Sequence, residues 1–188
     1  MKMSWVIGVS LLCCFSACSK GQSKSTADLY KDAPRSEVPD QLAPGMWRLG
    51  SVSALGYYND WGNHVGNSQE SLREFKVTRD GYAEFVQYLS VSSGACYNQT
   101  YTHLKGTLFF EAPNKMTWTP VEGDFAQNFP CTSGKSTRAA TKADLERSKA
   151  IYWYKVQDVY NDGTLYLFVY TDPSLTDQYR EFTYRIIK

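Results

Sequence analysis

Five cysteines, two histidines and 19 acidic side chains are the groups in this chain that could carry covalent, metal or acid–base chemistry. Their spacing assembles little of it. His64 and His103 each stand alone in polar surroundings, and Asp60, His64 and Glu70 match no ligand spacing used by zinc, so neither a metal nor a cofactor is expected. Glu74 and Glu84 could face each other across a hairpin as a glycosidase pair does, but each alternates with apolar neighbours and reads as a solvated strand position. Ser133-Gly134-Lys135-Ser136-Thr137 has the tail of a phosphate-binding loop, yet Phe129 stands where that loop needs its first glycine. No serine lies in a nucleophile-elbow pattern. With no nucleophile, acid, base or metal group assembled, the chain reads as something other than an enzyme.

What remains is aromatic: 14 Tyr, 9 Phe and 5 Trp, too many for a disordered chain. Tyr57, Tyr58 and Trp61 cluster, and Tyr152-Trp153-Tyr154 puts rings on both faces of one strand. Such side chains either fill a half-buried sheet or line a site for an apolar ligand or a sugar. Lys+Arg 20 against Asp+Glu 19 leaves a net charge of +1, with no stretch of one sign, which excludes a nucleic-acid partner.

The N-terminus carries a signal of another kind. Lys2 precedes an apolar run from Trp5 to Phe15, and Ser16-Ala17-Cys18 follows, the order of an export signal. The run is well short of the ~20 apolar residues that span a bilayer as a helix. Phe15-Ser16-Ala17-Cys18 resembles the lipobox of bacterial lipoproteins, with Phe where leucine is usual. That resemblance implies cleavage before Cys18 and its acylation by two or three chains, palmitate among them, which is enough for stable anchoring. A plain secretory signal is the alternative. Ser19 after the cysteine implies the outer membrane in a double-membraned bacterium, and the outer face of the cytoplasmic membrane in a single-membraned one. Residues 1–17 are thus read as signal peptide. Residues 18–44, polar and interrupted by Pro34, Pro39 and Pro44, are read as the lipidated N-terminus and a flexible tether, and 45–188 as the folded domain.

In that domain, runs of Tyr, Phe, Val and Thr separated by turn residues predict an all-β structure. Asp80-Gly81 predicts a hairpin between 72–79 and 82–91, where Ala83, Phe85, Leu89 and Val91 share a face with Gln87 as the polar exception. Further hairpins are expected at Pro113-Asn114-Lys115, joining 106–111 to 116–119, and at Asn161-Asp162-Gly163, joining 151–159 to 164–170. Runs 46–55, 97–104 and 181–187 bring the total to about nine strands in up-and-down order. One short helix is predicted over 142–149, capped by Thr141 with a carboxylate three residues on. With Cys13 and Cys14 in the signal and Cys18 lipidated, Cys96 and Cys131 remain, and an exported chain pairs such cysteines. The alternative, a metal or reactive thiol, lacks nearby histidines.

Gly45-Met46-Trp47 at the entry of the first strand and the basic last strand, with Arg180 and Arg185, resemble the lipocalin pattern. Over 45–188, the Trp47-Arg48 opening, the two cysteines and the helix before Tyr152-Trp153-Tyr154 are similar to small lipocalin-like lipoproteins of Bacteroidetes-type bacteria. The resemblance implies an antiparallel up-and-down barrel of the calycin type, with Trp47 packed under its closed end against a cation, Arg185 being the candidate, and no known catalytic residue. A barrel of about eight strands just holds one small ligand. The expectation is therefore an envelope-anchored barrel that binds a small apolar or amphipathic molecule, with Phe85, Trp118 and Leu167 as lining residues. The alternative is a filled β-domain that recognises a glycan or a protein at the cell surface.

Overall fold

A computed structural model describes residues 29–51, 69–93 and 96–188. They contain nine strands: β1 (Gly45–Ser51), β2 (Gln69–Val77), β3 (Tyr82–Ser93), β4 (Cys96–Glu111), β5 (Lys115–Phe129), β6 (Gly134–Ala139), β7 (Ala150–Asp158), β8 (Leu165–Tyr170) and β9 (Arg180–Ile187). Neighbours run β4-β3-β2-β1-β9-β8-β7-β5-β6, and β4 pairs with β5 as well, closing the ring. All pairings are antiparallel. With β6 outside the ring, the fold is a closed eight-stranded antiparallel barrel with one extra strand and one short helix, consistent with the expected lipocalin-like architecture.

Closure decides which face of each strand is buried. Trp47, Phe75, Phe85 and Leu104 fall in one cross-strand row, and Ile186 lies opposite Trp47 on the other side of β1. All five are buried. Phe75 sits at the centre of the aromatic packing, its ring 4.8 Å from Phe85, 5.3 Å from Trp118 and 5.7 Å from Trp47. Burying a side chain of this size contributes about 1.5–3 kcal/mol, so the row is a main source of the barrel's stability. Gly106 on β4 must lack a side chain, because a Cβ there would meet the Thr119 carbonyl oxygen at 2.3 Å and the Trp118 ring at 2.8 Å.

The three expected hairpins are present. Residues 78–81 connect β2 to β3, with Gly81 at φ 85°, the left-handed position that suits glycine. Turns at 112–114 and 159–164 join β4 to β5 and β7 to β8. In the second, the Asp158 carboxylate accepts hydrogen bonds from the Asp162 and Gly163 amides. Two expectations change. Runs 97–104 and 106–111 form a single strand, β4, because the irregularity at Lys105/Gly106 is absorbed as a bulge against β5. Strand β5 continues from 119 to Phe129 through Pro120 and Gly123, residues that read locally as breakers, and pairs there with β6, which the sequence pattern did not reveal.

The helix α1 (Lys142–Arg147) starts as expected and ends two residues sooner. Thr141 Oγ1 accepts from the Asp144 amide and the Asp144 carboxylate accepts from the Thr141 amide, a reciprocal capping box. Its position follows from the edge of β5, which pairs with β7 over 115–118 and with β6 over 124–129. Helix α1 carries the chain across the gap, with Leu145 packed against the core.

The boundary expected at 45 falls too late. Among residues 34–44, Val38, Leu42 and Ala43 are buried in the barrel core. The Ser36 amide donates to the Leu108 carbonyl, Ser36 Oγ accepts from the Phe110 amide, and Thr107 Oγ1 donates to the Pro34 carbonyl. Strand β3 begins at Tyr82, opposite Thr107, so the edge of β4 beyond it has open backbone groups, and Ser36 satisfies the Leu108 carbonyl and the Phe110 amide. This part of the expected tether is the floor of the barrel. Residues 18–28 of the tether and the signal 1–17, including Cys18, lie outside the described residues.

Candidate functional site

A partly enclosed cavity of about 300 Å³ occupies the barrel interior towards the end away from that floor. Its walls are Phe75, Phe85, Leu104, Trp118 and Phe125, and its polar groups come from Arg73, Gln87, Thr102 and Tyr152. The β-period explains the grouping. Arg73 and Phe75 are two apart on β2, and Gln87 and Thr102 follow Arg73 across β3 and β4 in register. Arg147, Ser148, Lys149 and Ala150, at the passage from α1 to β7, line the same space.

Of the expected ligand-lining residues, the structure places Phe85 and Trp118 on this wall and Leu167 elsewhere. Leu167 is fully buried between Val156 and Tyr184, within the packed part of the core. Sequence reasoning missed Arg73, Gln87 as a cavity group, Thr102 and Phe125, while Tyr152 belongs to the Tyr152-Trp153-Tyr154 run that the aromatic pattern singled out. Spacing in β2 holds the one usable signal, since Arg73, Phe75 and Val77 share a face and two of these three are apolar.

Arg73 dominates the site's electrostatics. Its guanidinium carbon lies 3.7 Å from the centre of the Phe182 ring and 5.0 Å from that of Phe85. Nε is buried without a hydrogen-bond partner. Burial pushes the phenols of Tyr152 and Tyr184 up, and the Arg73 charge opposes this at both. The two phenols therefore remain protonated donors at neutral pH.

Trp47 and Arg185 are not brought together. Strand β9 places Ile186 opposite Trp47, so the neighbouring Arg185 points to the other face, opposite Arg48, where it is exposed. The Trp47 indole instead packs on Phe75 and donates to the Leu42 carbonyl. Glu74 and Glu84 are not cross-strand partners either; Glu74 lies opposite Val86 and its carboxylate pairs with Arg48 at 2.7 Å. The disulfide Cys96–Cys131 is formed, tying the start of β4 to the chain just after β5. Gly134 to Ser136 lie on the β6 hairpin, with Gly134 at φ 70°. Tyr57, Tyr58, Asp60, Trp61 and His64 lie outside the described residues.

A second recess, beside α1, is lined by His103, Lys105, Glu122, Asp124 and Leu145. His103 Nδ1 stands 3.7 Å from Asp124 Oδ1, and burial raises the Asp124 carboxyl against the pull of His103 and Lys105. Among the described residues no group of three or more His, Cys, Asp or Glu side chains could hold a metal ion. No family model, curated protein or solved structure matches the chain.

Proposed function

We propose that this chain is a lipid-anchored binding protein of the bacterial envelope whose barrel interior takes up one small apolar or amphipathic molecule. The observation that carries the reading is the cavity walled by Phe75, Phe85, Trp118 and Phe125. Its volume of about 300 Å³ lies at the small end of the range for ligand pockets. It is roughly twice that of an engineered apolar cavity that takes up benzene, and equals the liquid volume of about ten waters. Apolar walls with a few convergent polar groups suit a compact ligand whose one polar end is fixed in orientation. Anchoring rests on Phe15-Ser16-Ala17-Cys18. Among the described residues no helix is long and apolar enough to cross a membrane.

Native mass spectrometry of the mature protein purified from its own envelope, with its organic extract analysed alongside, tests the reading. A reproducible small molecule bound one to one is expected. It should be absent from Thr102→Trp, which fills the cavity without emptying the core. A folded, disulfide-bonded protein that carries nothing and takes up no lipophilic probe would overturn the carrier reading and favour a glycan- or protein-recognition module. For the anchor, radioactive palmitate should label the wild type and not Cys18→Ser.

A further inference from the structure

We propose that the ligand is an organic anion, and that Arg73 is the residue that receives its charged group. The inference rests on the carrier reading above and names the chemistry of the molecule carried.

Arg73 belongs to the cavity wall on the β2 face that it shares with the buried Phe75 and Val77, and its register neighbours Gln87 and Thr102 are polar but uncharged. Removing a guanidinium from water is costly unless an opposite charge or hydrogen-bond acceptors replace the lost hydration. Phe85 and Phe182 cover the guanidinium with ring faces, its hydrogen bonds to the Tyr152 and Tyr184 phenols reach only neutral acceptors, and Nε keeps an unmet in-plane donor of the kind a carboxylate engages. Nε is buried without a partner, and among the described residues no carboxylate forms an ion pair with Arg73.

The other charges in the neighbourhood point the same way. No lining residue is acidic. Arg147 and Lys149 also line the cavity, but Arg147 is paired with Asp144 at 2.7 Å and Lys149 with Glu146 at 2.9 Å. Glu181 is near enough to act on the Tyr152 and Tyr184 phenols, yet it is exposed and is not part of the wall. Arg73 is thus the cavity cation whose charge is uncompensated by a described carboxylate. The Tyr152 phenol on the same wall is a further donor to an anion held there.

Two fluorescent probes that share one aromatic body separate charge from apolar fit: 8-anilinonaphthalene-1-sulfonate and its uncharged parent N-phenyl-1-naphthylamine. Energy transfer from protein tryptophan restricts the reading to bound probe. The wild-type protein should bind the sulfonate at least tenfold more tightly than the parent. Arg73→Gln should abolish that preference by weakening the sulfonate alone, and Arg73→Lys should restore part of it. Equal affinity for the two probes in the wild type overturns the anion proposal and leaves the carrier reading standing. Binding of neither probe overturns both. The wild-type comparison decides even where Arg73→Gln fails to fold.

Discussion

The indole Nε1 of Trp47 donates a 2.9 Å hydrogen bond to the carbonyl of Leu42, and neither residue is exposed to solvent. The bond fastens the chain before the barrel to its first strand, beneath the row formed by Phe75, Phe85 and Leu104. Trp47→Ala removes both packing and bond and should cost about 3–5 kcal/mol. Trp47→Phe keeps a ring in the core but leaves a buried carbonyl unpaired, an expected cost of about 1–3 kcal/mol. Urea midpoints of the two variants check the order, and a Trp47→Phe midpoint equal to wild type would show that the bond contributes nothing.

The same relationship sets where the folded unit begins. A chain starting at residue 34 retains Val38, Leu42 and Ala43 and should unfold close to the wild-type midpoint. A chain starting at 45 loses the burial of Val38 and Leu42, about 1.5–3 kcal/mol each, together with the hydrogen bonds to Leu108, Phe110 and Thr107. That loss is comparable with the whole stability of a modest domain. Circular dichroism and soluble yield of the two truncations give the answer; similar melting would show the floor to be peripheral.

The Cys96–Cys131 bridge spans 35 residues and closes a loop that contains the whole β4–β5 turn. On the chain-entropy model a loop of this length is worth about 3–4 kcal/mol. The double variant Cys96→Ser/Cys131→Ser should show a denaturation midpoint lowered by that amount, and reductant should lower the wild type equally while leaving the variant unchanged.

Asp144 and Asp124 should respond to pH with opposite sign. Hydrogen bonds from Arg138 first, then Thr141, hold the Asp144 carboxyl well below the usual carboxylate range. A group depressed in this way stabilises the fold fully above its ordinary value near ~4, and the contribution is lost as the pH falls through the depressed one. Asp144→Asn should therefore lower Tm at pH 7 and lose that deficit in strong acid.

Burial raises the Asp124 carboxyl, so its ionisation works against the fold, and the stability it supports is lost as pH rises through the raised value. Asp124→Asn should match or exceed the wild-type Tm at pH 7, and the two should converge near pH 3. A deficit in Asp124→Asn at neutral pH that vanishes in acid would show that the pairing with His103, not burial, governs the group.

Much of this architecture was legible in the chain, because the signals involved are local. Alternation in 82–91, turn residues at Gly81, Asn114 and Gly163, and Thr141 three residues before Asp144 each depend on a few consecutive residues. They are the features found as hairpins and helix cap. Pairing of Cys96 with Cys131 followed from export and elimination. Closure was not local. Whether Pro120 and Gly123 break a strand or lie within it depended on partners supplied by β4, Gly106 and Leu104. Whether Pro34 to Pro44 tethered or sealed the barrel depended on the open edge of β4 beyond Thr107. Period two told which residues of β2 share a face, so Arg73 could be placed with Phe75 from the sequence. That this face turned inward, setting a cation among Phe85, Phe182 and Tyr152, was decided by the ring of eight strands, since a strand's two faces are distinguished only by what the rest of the chain packs against them.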